Sequence, residues 1–408
     1  MSGQRSKLSD RERASKDAPA PPRCPATGLG LGALLGVLAL ALGWVGGSRA
    51  ALVTAPQFQT IVPGLDYAHI VETNPPWSIH VARLERGRPE FHLRSLLAKG
   101  QVRDLATVSE QIETTDFGNA EPVLAVNGDF FEIREVPYRG DPLGLQICDG
   151  ELVSIGAAPA FWVDRNGGWH IDEIMPRAEV TWPDGRTSPL EINGPTRTNR
   201  VALFTPTFGT STLASNKLEF VLTPTGKGPW LPLRANEALT ARVQAINYHG
   251  NSPLEAGQMV LALDPAYVPA ARVVKPGQEV RISTVVSPNL SRADAAVGGW
   301  PILVSHDPAR EWKIWSRRSD LRQPRTVVGF NSRYLFLVVV DGRVPWHSMG
   351  MTYPELAMLM RQLGCTEAMN LDGGGSSTFW VQGETLNFPS DFIERRVANA
   401  LVILRDRR

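Results

Sequence analysis

Pro324-Arg-Thr326, Tyr334-Leu-Phe-Leu-Val-Val-Val340, Asp341-Gly-Arg343, Thr352-Tyr-Pro-Glu355 and Asn370-Leu-Asp-Gly-Gly-Gly-Ser-Ser-Thr378 succeed one another along the chain, and their reading decides the fold. Leu335 to Val340 is an unbroken apolar, β-branched run of strand length, the pattern of a strand buried on both faces. Thr352 with Glu355 three residues later predicts a capping box, Pro354 suits a first helical turn, and Gly364 stops the helix. Glu367 to Leu371 predicts a second strand, which delivers Asp372 into three consecutive glycines. The unit is therefore strand, helix, strand, ending in a polar loop.

Three glycines in a row add no packing and are expected where a positive φ or a close backbone approach is required. Their N–H groups predict an anion-binding nest over Gly373, Gly374 and Gly375, with the hydroxyls of Ser376 and Ser377 beside it and Asp372 facing the bound group. A tight surface turn in which the Asp satisfies its own backbone is the plainer alternative.

A second polar strand end lies upstream. Pro122-Val-Leu-Ala-Val126 reads as a short apolar strand running into Asn127-Gly128-Asp129 and two aromatics, and the alternative there is a hairpin turn. A third glycine signal is Gly298-Gly-Trp-Pro301, feeding Ile-Leu-Val. Thr196-Arg-Thr-Asn-Arg200 places a polar loop before another strand. Between Leu143 and Ile282 short strands and turns recur without a signal for a long helix, while Val102, Leu105, Val108 and Ile112 predict an amphipathic helix over 101–116. The fold class expected is α+β: one β-rich, mixed-sheet domain over 56–408 with a few packed helices.

The N-terminal region has a different character. Residues 1–25 are polar and basic, a disordered tail expected to face the cytoplasm. Residues 26–47 carry no charge, long enough for a transmembrane helix with the positive flank on its N-terminal side. Ser48-Arg49-Ala50 also fits a cleavage site, so an uncleaved anchor and a signal peptide are both open, and in either case the domain is exported to the cell envelope or beyond.

The 408 residues are 43% hydrophobic and 20% charged with a net charge of +1, which supplies a sizeable core and excludes a generally basic, nucleic-acid-binding chain. With 37 Gly and 32 Pro, turns are abundant. Cys24 precedes the apolar run; Cys148 and Cys365 would both be exported, where a disulfide and two buried thiols are equally open. The seven His show no zinc-ligand spacing.

In order and spacing, Asn127-Gly-Asp-Phe-Phe, Arg200, Gly298-Gly-Trp-Pro, Arg325-Thr through Val340-Asp-Gly-Arg343, Gly350-Met-Thr and Asn370-Leu-Asp-Gly-Gly-Gly-Ser-Ser resemble the phosphodiester glycosidase family over roughly residues 60 to 405. The resemblance implies an α+β fold and hydrolysis of a glycosyl phosphodiester. Asp129 enters on its own chemistry rather than on the resemblance.

The residues suit that reaction independently. The leaving group of a glycosyl 1-phosphodiester is a phosphate monoester, already a weak base, so the site needs little protonation of it and much neutralisation of its charge. Arg325 is expected to fork onto the phosphate with the glycine loop, Ser376 and Ser377; Asp372 to activate water or stabilise an oxocarbenium-like sugar; Asn127 to orient substrate oxygens; and Asp129 to be the partner carboxylate. Arg200, Asp341 and Arg343 are further candidates for substrate binding, and Arg395, Arg396 and Asn399 for an approach from the final strand, the plain alternative being solvated surface. A divalent cation, Ca²⁺ or Mg²⁺, on Asp372 and Asp129 also suits a phosphate substrate, with a ligand count not legible in sequence. The expected partner is a glycan or sugar phosphate such as an envelope exopolysaccharide, with membrane attachment through the N-terminal segment and no nucleic acid. Two rival classes stand beside the hydrolase. One is a non-catalytic phosphoglycan-binding module, and the other an assembly protein using aromatic turns near Trp300, Trp312 and Trp315.

Overall fold

Tyr334–Val340 lies at the centre of a seven-stranded antiparallel sheet in this computed structural model, which describes residues 52–134, 137–195, 197, 199–226, 229–266, 268–311 and 321–407. The tail 1–25, the apolar run 26–47, Cys24, Trp312 and Trp315 lie outside the described residues. The sheet runs Gln59–Val62, Leu65–Thr73, Pro76–Glu85, Tyr334–Val340, Arg325–Phe330, Glu367–Asn370, Ile302–Val304. The strand, helix, strand unit is present with one addition: Arg325–Phe330 sits between its two strands and pairs antiparallel with each.

The period of two along an extended strand sends successive side chains to opposite faces. Phe336, Val338 and Val340 enter one core with Leu356, Leu359 and Met360 of the helix Tyr353–Gln362, whose capping box between Thr352 and Glu355 is formed and which is followed by Gly364 at φ +87°. Leu335, Leu337 and Val339 enter another core with Leu124, Val126, Leu401 and Ile403. Those four belong to a five-stranded sheet in the order Glu384–Thr385, Phe379–Val381, Ala120–Asn127, Asn399–Asp406, Phe91–Leu97. Its far face, through Ala125, Ala400 and Val402, covers Val108 and Ile112 of the helix Val108–Thr114. The result is four layers, helix on sheet on sheet on helix.

The first helix is shorter than the periodicity predicts. It starts at Val108 because the Thr107 hydroxyl accepts from the Glu110 N–H and the Glu110 carboxylate accepts from the Thr107 N–H. Ahead of it, Ala106 exchanges backbone hydrogen bonds with Val397, which holds that segment extended. Val102 is buried from a turn rather than from a helix.

The β-rich body resolves into two parts. Glu151–Ser154, Gln146–Cys148, Ala293–Gly298, Pro159–Asp164 and Trp169–Glu173 form a second five-stranded sheet. Seven strands between Glu179 and Ser283 close into a barrel, filled by Val180, Trp182, Leu203, Phe220, Val243, Leu261 and Ile282. Closure is not a plain meander, since Thr187–Ile192 and Val201–Phe204 pair in parallel. Cys148 and Cys365 are free thiols, the latter buried. Among the described residues, no helix is long and apolar enough to cross a membrane.

Candidate active site

The polar loops predicted from sequence meet along one edge where strands of both sheets end. Asn127 closes its strand and is fully buried: its side-chain N–H donates to the Asp372 carbonyl (2.7 Å), and its Oδ1 accepts from the Thr326 hydroxyl (2.7 Å) and the Thr378 N–H (3.1 Å). The Asp372 N–H donates to the Gly128 carbonyl, and the Gly128 N–H to the Asn399 carbonyl. Asn127 therefore stitches three strand ends together, a positioning role in place of the substrate contact expected of it. There is no hairpin turn at Asn127-Gly128.

Two carboxylates occupy this junction. Asp129 is almost fully buried; its two oxygens accept from the N–H groups of Phe130 and Gly144, each at 2.7 Å, and its own N–H donates to Asn399 Oδ1. Burial pushes its pKa up to about 7, the two N–H donors pull it down, and the charge on Asp372 adds to the rise. Asp372 keeps part of its surface exposed, yet the surrounding protein raises it to about 6 against the lowering influence of Ser376, the Gly373 N–H, Arg395 and Arg343. Gly144 and Gly298 bracket the Asp129 carboxylate: a Cβ at Gly144 would stand 2.7 Å from Oδ2, and one at Gly298 closer still.

The glycine loop differs from the expected nest. Gly373 donates to its neighbour Asp372 Oδ1, Gly374 to the Pro324 carbonyl, and Ser376 and Ser377 to carbonyls within the loop. Those N–H groups are therefore turned inward. The loop also buries hydroxyls: Oγ of Ser376 and of Ser377 have no hydrogen-bond partner of regular geometry, nor have Oδ1 of Asn370 and Nδ2 of Asn399. Ser376 lies close enough to influence the Asp372 carboxylate, although no bond of regular geometry joins them. Orphaned polar atoms this deep call for a ligand or water.

Arg325 is not a phosphate fork. Its Nε donates to the Met351 carbonyl (2.9 Å), its Nη2 to the Leu321 carbonyl (3.0 Å), and its guanidinium lies 4.0 Å from the centre of the Tyr353 ring. Strand parity explains this: Arg325 shares a face with Val327, which packs under the helix, whereas Thr326 faces Asn127 and the site. Arg343 and Arg395 take the place expected of it. Gly374, at φ +64°, carries the Arg343 guanidinium against it, with Nη2 2.8 Å from where a Cβ would stand. Gly375 carries Arg395 in the same way. Arg343 is steadied by Gln323 (2.7 Å) and Arg395 by Asp391 (2.6 Å), while Arg396 turns away to Glu110 (2.8 Å).

Two other candidates lie apart from the carboxylates. Asp341 is buried; one oxygen accepts from Ser78 (2.8 Å) and shares a hydrogen bond with His347 (2.9 Å), the other accepts from Asn387 and the Phe388 N–H. Burial would raise its pKa, but bonds from His80, His347 and Ser78 hold it below the usual range. It anchors the loop from behind, because Asn387 also donates to the Ser377 carbonyl. Arg200 pairs with Glu191 (3.1 Å) and lines a cleft of about 250 Å³ with Asp141, Leu143 and Arg197 on the barrel flank. Among the described residues no three His, Cys, Asp or Glu side chains converge to hold a metal, so a cation on Asp129 and Asp372 would lack a third ligand of those kinds.

Sequence reasoning missed Gly144, whose role depends on close approach of a distant loop and has no local signature. It also missed the buried group around Asp341, in which Tyr67 bonds His80 (2.8 Å) and His69 bonds Ser78 (3.0 Å), from histidines that look scattered in sequence.

Fold and site together define a class: a β-rich α+β protein whose strand-end loops join two carboxylates of raised pKa to two guanidinium groups over a glycine turn. Residues 236–404 match the model of the family described as phosphodiester glycosidase, so the resemblance read from the motifs holds over that stretch. The matched residues include Arg343, Asp372 and Arg395; Asn127 and Asp129 lie outside them.

The chain is 35% identical over 86 residues to mouse N-acetylglucosamine-1-phosphodiester alpha-N-acetylglucosaminidase, covering 21% of this chain and 16% of that one. It is 35% identical over 114 residues to an uncharacterised SPbeta prophage-derived protein of Bacillus subtilis, covering 28% and 17%. The chain thus spans less than a fifth of the length of these relatives. Its fold is similar to that of a hypothetical protein from Synechocystis (TM-score 0.68, 19% identity, 86% of this chain and 64% of the other). It is similar too to that of a Burkholderia pseudomallei protein described as exported (TM-score 0.61, 21% identity, 80% and 74%).

Proposed function

We propose that the protein hydrolyses a glycosyl 1-phosphodiester, an N-acetylhexosamine type or a related glycosidic bond of an envelope polysaccharide. The observation that carries this reading is the pairing of Asp372 and Asp129 beside a glycine turn flanked by Arg343 and Arg395, with the Ser376 and Ser377 hydroxyls unpartnered. The phosphate sits across Gly374 and Gly375, where the two guanidinium groups neutralise charge that grows as the glycosidic bond breaks, and the serine hydroxyls donate to its oxygens. Asp372, ionised above about pH 6, activates water or steadies the oxocarbenium-like sugar. Asp129, raised to about 7, is the more weakly acidic of the two, so between about pH 6 and 7 the pair carries a single negative charge. The uncharged run 26–47 behind a basic tail supports an extracytoplasmic site of action.

The second reading is a phosphoglycan-binding module, which the same guanidinium pair and hydroxyls would serve without turnover. A panel of α- and β-linked sugar 1-phosphodiesters, with and without chelator, separates the two. Release of free sugar that vanishes in Asp372→Asn supports hydrolysis. No release from any member, with phosphoglycan binding equal in wild type and Asp372→Asn, establishes the module instead.

A further inference from the structure

Beside the guanidinium pair stands a row of aromatic rings that no step above uses. Trp346 meets Phe388 edge-on at 5.9 Å, Phe388 meets Phe392 edge-on at 5.8 Å, and His347 lies 5.3 Å from Phe388. The outer members are unusually open for their size: Trp346 is 76% exposed, Phe392 73% and its neighbour Ile393 73%. Phe392 is held at φ +64°, a backbone region that bulky side chains rarely adopt. A packing role does not account for rings so exposed.

The row is continuous with the candidate site. The Phe388 N–H is bound to Asp341, Asn387 to the Ser377 carbonyl, and Asp391 to the Arg395 that lies on Gly375. Trp346 follows three residues after Arg343. The segment 387–396 that clamps the glycine loop therefore also carries Phe388 and Phe392, and Trp346 packs against Phe388 from the turn that follows Arg343. The lining alternates apolar rings with His347, Asp391 and Arg395. A lipid tail would need an unbroken apolar surface, whereas a pyranose offers a C–H face for a ring and hydroxyls for the polar groups between.

We propose that Trp346, Phe388 and Phe392 form a subsite for a pyranose on the leaving-group side of the phosphate, making them specificity-determining residues for a sugar-phosphate leaving group. This rests on the phosphodiester reading above. The test uses the full chain and two substrates that share one glycosyl 1-phosphate, esterified in one case to a hexopyranose and in the other to methanol. Trp346→Ala and Phe392→Ala are expected to lower kcat/KM about tenfold for the hexopyranosyl ester, mainly through KM, and to leave the methyl ester within about twofold. Equal losses on both esters, or none on either, would overturn the subsite and leave hydrolysis standing.

If wild type turns over neither ester, the panel above decides hydrolysis, and binding decides the subsite by itself. A hexose phosphate should then bind wild type about tenfold more tightly than inorganic phosphate, with that advantage gone in Trp346→Ala. Equal affinity for the two ligands in wild type sinks the subsite. So does a loss of partitioning onto phosphatidylglycerol vesicles in both variants with sugar-phosphate affinity unchanged, which would make the face a membrane contact.

Discussion

The barrel and the edge of the sandwich bury polar groups in opposite ways. Within the barrel region, Glu219 is fully buried and both its oxygens are engaged, one by the Thr212 hydroxyl (2.5 Å) and one by the Ser252 N–H (2.7 Å). Asn193 likewise bonds the Val153 carbonyl and both the N–H and hydroxyl of Thr205. At the sandwich edge, Asn370, Ser376, Ser377 and Asn399 leave buried atoms without partners, and among the described residues no such atom falls within 179–283. A satisfied interior stabilises a shape, and an unsatisfied one beside two carboxylates awaits something that is not protein.

The sharpest way to break this contrast is to neutralise the edge. Asp372→Asn should lower kcat by at least about a thousandfold while leaving the thermal midpoint unchanged or raised, because a carboxylate disfavoured by burial is gone. A variant that kept its rate would empty the edge of chemistry. Next in size, Arg343→Ala should reduce kcat/KM about a hundredfold with little change in stability. Arg325→Ala, by contrast, should weaken the fold by about 1–3 kcal/mol through its lost carbonyl partners, read by denaturant titration, and change kcat/KM by less than about threefold.

The barrel supplies the converse. Glu219→Ala strands the Thr212 hydroxyl and the Ser252 N–H, so unfolding free energy should drop by about 1–3 kcal/mol with kcat near wild type. Loss of rate without loss of stability would place the barrel in the chemistry. The smallest effect is a slope. Asp129 holds its proton more tightly folded than unfolded, so its contribution is most favourable below the unfolded value near 4 and is lost as pH rises through about 7. Stability of the wild type should decline over that window, and Asp129→Asn should flatten the decline in melts taken between pH 4 and 8.

Much of the edge was legible in sequence because its signals are local. Capping residues at Thr352 and Glu355, the apolar run to Val340 and the glycines after Asp372 act within a turn or two of themselves. What was not legible depends on parity and partnership. Whether Arg325 or Thr326 faces the site is decided by one residue of register, and which of Arg395 and Arg396 reaches the loop is decided by Asp391 and Glu110. The free thiols of Cys148 and Cys365 are a similar case, since spacing alone left pairing open. Barrel closure was hidden for the same reason, its seams being hydrogen bonds between strands distant in sequence, such as Glu179–Thr181 with Glu279–Ser283.

The strand Asn399–Asp406 lies between Phe91–Leu97 and Ala120–Asn127 rather than at an edge. Its first residue supplies the Oδ1 that the Asp129 N–H reaches across 270 residues of sequence. As the ribosome makes the chain, two strand edges and half of the carboxylate pocket therefore wait, open, for a segment synthesised much later. Nearly all of this domain must emerge before the Asp129 pocket can close, so the carboxylate junction is completed only when the last strand has paired.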